Sequence, residues 1–344
     1  MLDQSFSAHN FGTIYNIENR KGHIKLDDMP VDFRECVANI KQNKAKIQEI
    51  KNLAEEKRTD KDVLELEKAQ SELERLYEVK ESILDQYLQH LSSIIRQRHF
   101  KITLSKYLKD GKEIFRLDSS SHAMFFAAKQ LQYNIHKTFK VKQANRNSIL
   151  NCIKSLLETK RPISIIRTDI SSFYESIDQK LLLNRIEDNT LLSSKSRAFI
   201  KAILNQFNNI KNASTAAADK GIPRGVGISA YLSELYLKDL DTNIKSRPEV
   251  MFYARYVDDI FIILSCVPVG QTIETYYQGL TASFAELGLS LKQPNDGSGK
   301  CQLITFNNDK SIEVQYLGYR IVLSRTKDKL SVTFNMSTNK VDKI

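Results

Sequence analysis

The feature that most constrains this chain is a pair of adjacent carboxylates inside an apolar, β-prone run: Tyr253-Ala254-Arg255-Tyr256-Val257-Asp258-Asp259-Ile260-Phe261-Ile262-Ile263-Leu264. Two ionised aspartates in a buried hairpin repel each other and lose hydration, and each must be paired or neutralised. Asp is common in turns, but Ile260 to Leu264 continues as apolar strand without Gly or Asn, which a plain surface turn does not require. A bound cation resolves the repulsion. Apolar strand, Asp-Asp at the turn, apolar strand therefore reads as a hairpin that presents carboxylates to a hard divalent metal.

A second carboxylate lies about ninety residues upstream, in Pro162-Ile163-Ser164-Ile165-Ile166-Arg167-Thr168-Asp169-Ile170-Ser171-Ser172-Phe173-Tyr174-Glu175-Ser176-Ile177. Again an apolar run ends at an aspartate. Asp169 also suits a helix N-cap, a role compatible with metal binding. Neighbouring strands would set Asp169 beside Asp258. Together they suit two Mg²⁺ ions, with Mn²⁺ as a substitute, roughly 3.5–4 Å apart, the spacing that clamps the attacking and leaving oxygens of nucleotidyl transfer.

Asp169 with Tyr174 resembles motif A of reverse transcriptases, and Tyr256-Val257-Asp258-Asp259 resembles the Y-x-D-D of motif C. Gly221-Ile222-Pro223-Arg224-Gly225-Val226-Gly227 and the residues to Leu237 resemble motif B. Leu287 to Lys292 resembles the start of motif D, and Val314-Gln315-Tyr316-Leu317-Gly318-Tyr319 resembles motif E, the primer grip. The five stand in the family's order across roughly residues 100–325. The resemblance implies an α+β fold of right-hand polymerase fingers and palm, the palm an antiparallel sheet with packed helices. It implies Asp169 and Asp258 as metal ligands, Asp259 in support, and the Ile170 carbonyl as a further metal donor. An aromatic ring at Tyr174 implies exclusion of a 2′-hydroxyl, hence dNTP substrates. Gly225 and Gly227 permit close backbone approach beside the nucleotide. Tyr316, Leu317 and Gly318 are implied nucleic-acid contacts.

Arg224 stands where many templated members have Gln, and adds a fixed cationic fork. Pro-Arg-Gly followed by Ser-Ala-x-Leu-Ser-Glu resembles the bacterial abortive-infection (Abi) and related defence-associated reverse transcriptases. That resemblance implies DNA synthesis in antiphage defence, template-independent and protein-primed, with RNA-templated synthesis on a dedicated non-coding RNA as the alternative and homo-oligomerisation as a family trait. A non-catalytic nucleic-acid-binding scaffold is the rival of another class; it has no need of the three aspartates together.

A triphosphate also needs cations. Tyr107 to Leu117 reads as a β-hairpin with an Asp110-Gly111 turn, from which Lys109 and Arg116 project toward the triphosphate, with Lys112 nearer the tip as a substitute. Arg146, before a helix, is a candidate for template backbone. Lys300 is the candidate motif D lysine, on a loop lengthened by Gln293 to Gly299. The net charge of +10 suits a polyanionic partner, and from Lys140 to Arg167 seven Lys or Arg residues accompany one acid, Glu158.

Cys36, Cys152, Cys266 and Cys301 are widely spaced and suggest neither zinc nor a disulfide framework. With no signal peptide and no apolar run of membrane-spanning length, the expected location is cytoplasmic. At 344 residues the chain has room for two or three subdomains. Residues 1–98 read as an extension, irregular to about residue 30 and then a long antiparallel helical pair. Its stripes are Ile40, Ile47, Ile50, Leu53 and Leu73, Leu76, Ile83, Leu84, Tyr87, Leu91, Ile94, broken near Arg58-Thr59-Asp60. Residues 99–168 read as fingers and 169–323 as palm. Residues 324–344 read as a tail or the start of a thumb or C-terminal domain.

Overall fold

A computed structural model describes residues 2–53, 58–109, 111–118, 121–158, 163–188, 190–211, 219–265, 267, 269–306, 311–326 and 329–336. It mixes helices with antiparallel sheets, the expected α+β class. The chain divides into two compact units, Met1–Ile102 with Asp118–Tyr133, and Thr103–Leu117 with Asn134–Ile344. No helix among the described residues is long and apolar enough to cross a membrane.

The first unit is helical. Residues 1–30, expected to be irregular, instead contain helix α1 (Ala8–Arg20). The Ser7 hydroxyl accepts from the Asn10 amide at 3.4 Å and caps it. Phe11, Ile14, Tyr15 and Glu18, spaced i, i+3, i+4, i+7, form its buried face. Glu18 is the charged member of that face. Lys129 and Lys21 reach it at 2.6 and 2.8 Å, and His23 at 2.7 Å.

Helices α2 (Val31–Asn52) and α3 (Asp60–Arg96) form the expected antiparallel pair. The fresh start is a capping box: the Thr59 hydroxyl accepts from the Asp62 amide while the Asp62 carboxylate accepts from the Thr59 amide. Cys36, Ile40 and Leu76 make a small core between them. Asn43 donates to the Ala69 carbonyl at 2.9 Å. Leu88, Leu91 and Ile95 continue the buried stripe of α3, whereas Leu53, at the end of α2, is exposed.

Among the described residues, the second unit holds three antiparallel sheets. Strands β1 (Leu104–Lys109) and β2 (Lys112–Leu117) form the expected hairpin, of which Asp110 and the Lys112 side chain lie outside the described residues. Helices α4 (His122–Phe139) and α5 (Arg146–Leu157) follow, the latter capped by Asn145; α4 passes from the first unit into the second.

The central sheet has the order β4-β5-β3-β6, from strands Ile163–Asp169 (β3), Val250–Tyr256 (β4), Asp259–Leu264 (β5) and Gln302–Phe306 (β6). Every residue of β3 is buried, because both faces of this sheet are covered. Ile163, Ile165, Phe261, Ile263 and Phe306 pack with α5 and with the third sheet, β7 (Ile312–Tyr316), β8 (Tyr319–Thr326) and β9 (Lys329–Met336). The opposite face meets helices α9 (Gly227–Lys245) and α10 (Ile273–Ala285). Asp241 of α9 reaches Tyr253 and Arg255, and Tyr277 of α10 reaches Thr168. Continuous cover explains why these strands read as unbroken apolar runs rather than alternating ones. Helices α6 (Phe173–Ser176), α7 (Gln179–Asp188) and α8 (Ser194–Ile210) lie between β3 and α9 in the chain.

Candidate active site

Strand register brings the aspartates together. Asp169, the last residue of β3, pairs with Asp259, the first of β5, and Asp258 occupies the turn between β4 and β5. One carboxylate oxygen from each of Asp169, Asp258 and Asp259 lies within 4.8 Å of the others. Backbone bonds also hold the Asp258 and Asp169 positions. The Ile170 amide donates to the Asp258 carbonyl at 2.9 Å, and the Lys292 amide donates to the Asp169 carbonyl at 2.9 Å.

The electrostatics are those of a cation site. Burial pushes the Asp258 carboxyl above its ordinary value and the charge of Asp169 adds to this, while Lys300 and Arg224 pull it down. Burial likewise raises Asp259, against the pull of Arg167. Lys300 donates to Asp169 at 2.7 Å, and this bond raises its own pKa. Arg167 donates to Asp259 at 3.1 Å and to the Gly299 carbonyl at 3.3 Å. Three clustered carboxylates offer only hard oxygen donors, the set that suits Mg²⁺ or Mn²⁺.

Beside them, Tyr174 stands on α6, five residues after Asp169. Burial raises its phenol pKa, and a hydrogen bond with the Ser233 side chain opposes this. The Arg224 guanidinium lies 5.7 Å from the Tyr174 ring centroid and forms an ion pair with Glu175 at 3.2 Å.

Gly225 makes a close approach, and its partner is the β1–β2 hairpin. With φ at +94°, a Cβ there would fall 2.4 Å from Ile114 Cγ2 and 2.7 Å from the Phe115 carbonyl oxygen. The Phe115 amide donates to the Arg224 carbonyl at 2.7 Å. Gly227 simply opens α9. Register puts Lys109, Arg116 and Ile114 on one face of the hairpin, so the face bearing both candidate phosphate cations is the one seated on Gly225. Both side chains are exposed, and Arg116 lies 5.0 Å from the Tyr107 ring centroid.

Arg146, Tyr316, Leu317 and Gly318 also meet one another. Arg146, at the start of α5, donates to the Leu317 carbonyl. Leu317 and Gly318 form the tight β7–β8 turn, with φ of 49° and 73°. The Tyr316 ring is closed off from solvent, packed 4.9 Å from Phe261, and its hydroxyl donates to the Asp259 carbonyl at 3.4 Å.

Arg167, Arg255, Glu234 and Asp241 are site neighbours that the sequence reading does not single out. The available signal was a cation within an apolar strand, two or three residues before each aspartate motif.

A family model described as reverse transcriptase (RNA-dependent DNA polymerase) matches residues 115–321, more than half of the chain. Among solved structures, telomerase from Candida albicans in complex with a TWJ fragment of telomeric RNA aligns with 71% of this chain and 46% of its own, at 12% identity and a TM-score of 0.44. Apo telomerase from Candida tropicalis, truncated from the C-terminal domain, aligns with 70% and 56%, at 12% identity and a TM-score of 0.43. The chain thus spans about half the length of these structures. No curated protein matches it.

Proposed function

The chain belongs to the reverse transcriptase (RNA-dependent DNA polymerase) family, and on that premise we propose that it is a DNA polymerase that adds dNTPs to a 3′-hydroxyl or a protein hydroxyl. The observation that carries this reading is the convergence of Asp169, Asp258 and Asp259 within 4.8 Å at one end of the central sheet. A scaffold that only bound nucleic acid would gain nothing from three crowded carboxylates, whose burial and mutual repulsion raise the pKa of two of them.

Asp169 and Asp258 would hold the metals, with Asp259 and the Ile170 carbonyl in support. Two bound Mg²⁺ or Mn²⁺ ions supply charge neutralisation and an activated hydroxyl in such a site. The residues themselves do the rest. Lys300 and Arg167 temper the negative field. Tyr174 lies under the sugar and rejects a 2′-hydroxyl, with Arg224 stacked against its ring. Lys109 and Arg116 face the triphosphate from the hairpin, and the Leu317-Gly318 turn supports the primer end.

Arg224 in the place of the usual Gln, with the Abi-like segment of motif B, supports a role in antiphage defence and synthesis that is untemplated and protein-primed. The test is incorporation of each labelled dNTP with Mg²⁺, with and without RNA template and primer, resolved on denaturing protein gels. Product formed without template and migrating with the protein is the expected result. Product that requires RNA and follows its sequence would establish templated synthesis on an RNA partner. No incorporation under any of these conditions would sink the polymerase reading.

A further inference from the structure

Val257, immediately before Asp258, is a β-branched residue at φ 59°. L-residues avoid this left-handed region, and β-branched ones most of all. A strained peptide persists only where its surroundings over-determine it. Here the holding group is the side chain of Arg255, two residues back. Its Nη1 donates to the Val257 carbonyl at 2.9 Å. The next peptide is held too, since the Asp258 carbonyl accepts from the Ile170 amide at 2.9 Å. Asp258 is therefore pinned on both flanks.

Arg255 is itself fixed. Its side chain is 2% exposed. Nε faces both Asp241 oxygens at 3.2 Å, and Nη2 donates to Asp241 and to Glu234, each at 2.7 Å. Nη1 adds Glu234 at 3.1 Å. These contacts and the Val257 carbonyl use all five N–H groups of the guanidinium. Glu234 and Asp241 both come from α9, the helix that continues the Arg224-Gly225 loop. The guanidinium also lies 6.0 Å from the ring centroid of Phe173, next to Tyr174. A well-packed apolar side chain often serves stability as well as a buried ion cluster does. What it lacks is a donor for the Val257 carbonyl.

We propose that Arg255 is a positioning residue for the metal centre: it holds the Val257 turn in the conformation that presents Asp258, and anchors that turn to α9. The inference rests on the polymerase reading for its consequence in catalysis, but its first readout is metal binding alone. Removing Arg255 by itself would strand two largely covered carboxylates, so the informative variant is Arg255→Met with Glu234→Gln and Asp241→Asn. Arg255→Lys is the companion: it keeps the charge that Glu234 and Asp241 require, but an ammonium cannot span both carboxylates and the carbonyl.

Mn²⁺ binding to the full chain, followed by electron paramagnetic resonance alongside circular dichroism and thermal melting, gives the test. Folded variants of Arg255 are expected to bind Mn²⁺ at least about tenfold more weakly than wild type, the usual effect of losing a group that orients a ligand. Where incorporation is measurable, kcat should fall by a similar factor, with KM for dNTP within about twofold. Tyr253→Phe, which removes the 2.6 Å bond to Asp241 without touching the turn, should bind Mn²⁺ as wild type does. A folded Arg255 variant with undiminished Mn²⁺ affinity would overturn the proposal, as would an equal loss in Tyr253→Phe. Arg255-dependent Mn²⁺ binding in a protein that incorporates no nucleotide would leave the positioning role standing and remove the polymerase reading.

Discussion

Asp258 faces opposing demands. Burial and the neighbouring Asp169 disfavour its charge, yet a metal ligand must be ionised. Asp258→Asn removes repulsion rather than packing, so its melting temperature should equal or exceed that of wild type. Incorporation should fall on the order of 10²–10³-fold or more, the scale of several kcal/mol of lost charge stabilisation. Near-normal incorporation would remove Asp258 from the ligand set. Tyr174 carries a separate expectation. Tyr174→Ala should lower dNTP over rNTP selectivity by about tenfold or more, an OH-sized discrimination. Arg224→Gln keeps the ring and removes only the guanidinium against it, so its effect on selectivity should be smaller; competition assays with paired nucleotides measure both. The three aspartates were legible because each is a charge that an apolar strand does not explain. Arg167 and Arg255 carry the same signal, but their meaning depends on partners that the chain brings together only on folding. Asp259 lies 92 residues beyond Arg167, and the acids that hold Arg255 lie on a helix 14 and 21 residues before it. Tyr316 was legible as part of a motif, while its burial against Phe261 depends on a sheet-to-sheet contact that no local pattern encodes.

Elements with local chemistry were the readable ones. The helix break near Thr59, the β1–β2 hairpin and the apolar strand runs follow from local sequence alone. Helix α1 escapes a reading by periodicity although its i, i+3, i+4, i+7 face is present, because that face ends in a glutamate rather than an aliphatic residue. Glu18 is buried only in company. Burial alone would raise its carboxyl, but hydrogen bonds from Lys129, Lys21 and His23 outweigh this and hold it at about 2, below the ordinary 4.5. With the folded value depressed, the stabilisation is fully present above about pH 4.5 and is lost as pH falls toward 2. A drop of that size is worth at most about 3 kcal/mol. Glu18→Gln should therefore lower the urea midpoint at pH 7, and the gap to wild type should close between pH 4.5 and pH 2. A gap independent of pH would show that the ion cluster contributes no linkage. The hairpin gives another expectation. Gly225→Ala combines a left-handed φ with contacts of 2.4 and 2.7 Å, and should cost about 1–3 kcal/mol in a denaturant titration. Adding Ile114→Ala relieves the side-chain contact but not the Phe115 carbonyl, so recovery should be partial. Full recovery would mean that only the methyl group mattered.

At the scale of the molecule, the charge of +10 is informative only through where it is spent. The stretch from Lys140 to Arg167 reads from sequence as seven cations aimed at a polyanion. In the structure Arg146 donates to the Leu317 carbonyl, and Arg167 is buried against Asp259. Lys160 and Arg161 lie outside the described residues, which leaves Lys140, Lys142 and Lys154 as the exposed described members. A count of basic residues thus overstates the electrostatic footprint, because internal ion pairs and carbonyl contacts release no counterions when nucleic acid binds. The slope of log Kobs against log[KCl] reports the phosphates that are actually neutralised, about 0.9 for each on a duplex and 0.7 on a single strand. Changing Lys140, Lys142 and Lys154 together to Gln should reduce the magnitude of that slope by about 2–3, with affinity lost across all sequences alike. Arg146→Gln should lower the melting temperature and leave the slope nearly unchanged. Fluorescence anisotropy with a labelled duplex and a labelled single strand, each titrated across KCl, measures both variants. An unaltered slope in the triple lysine variant would move the polyanion contact off this stretch. A slope reduced by Arg146→Gln would mean that its guanidinium leaves the Leu317 carbonyl for phosphate when nucleic acid is bound.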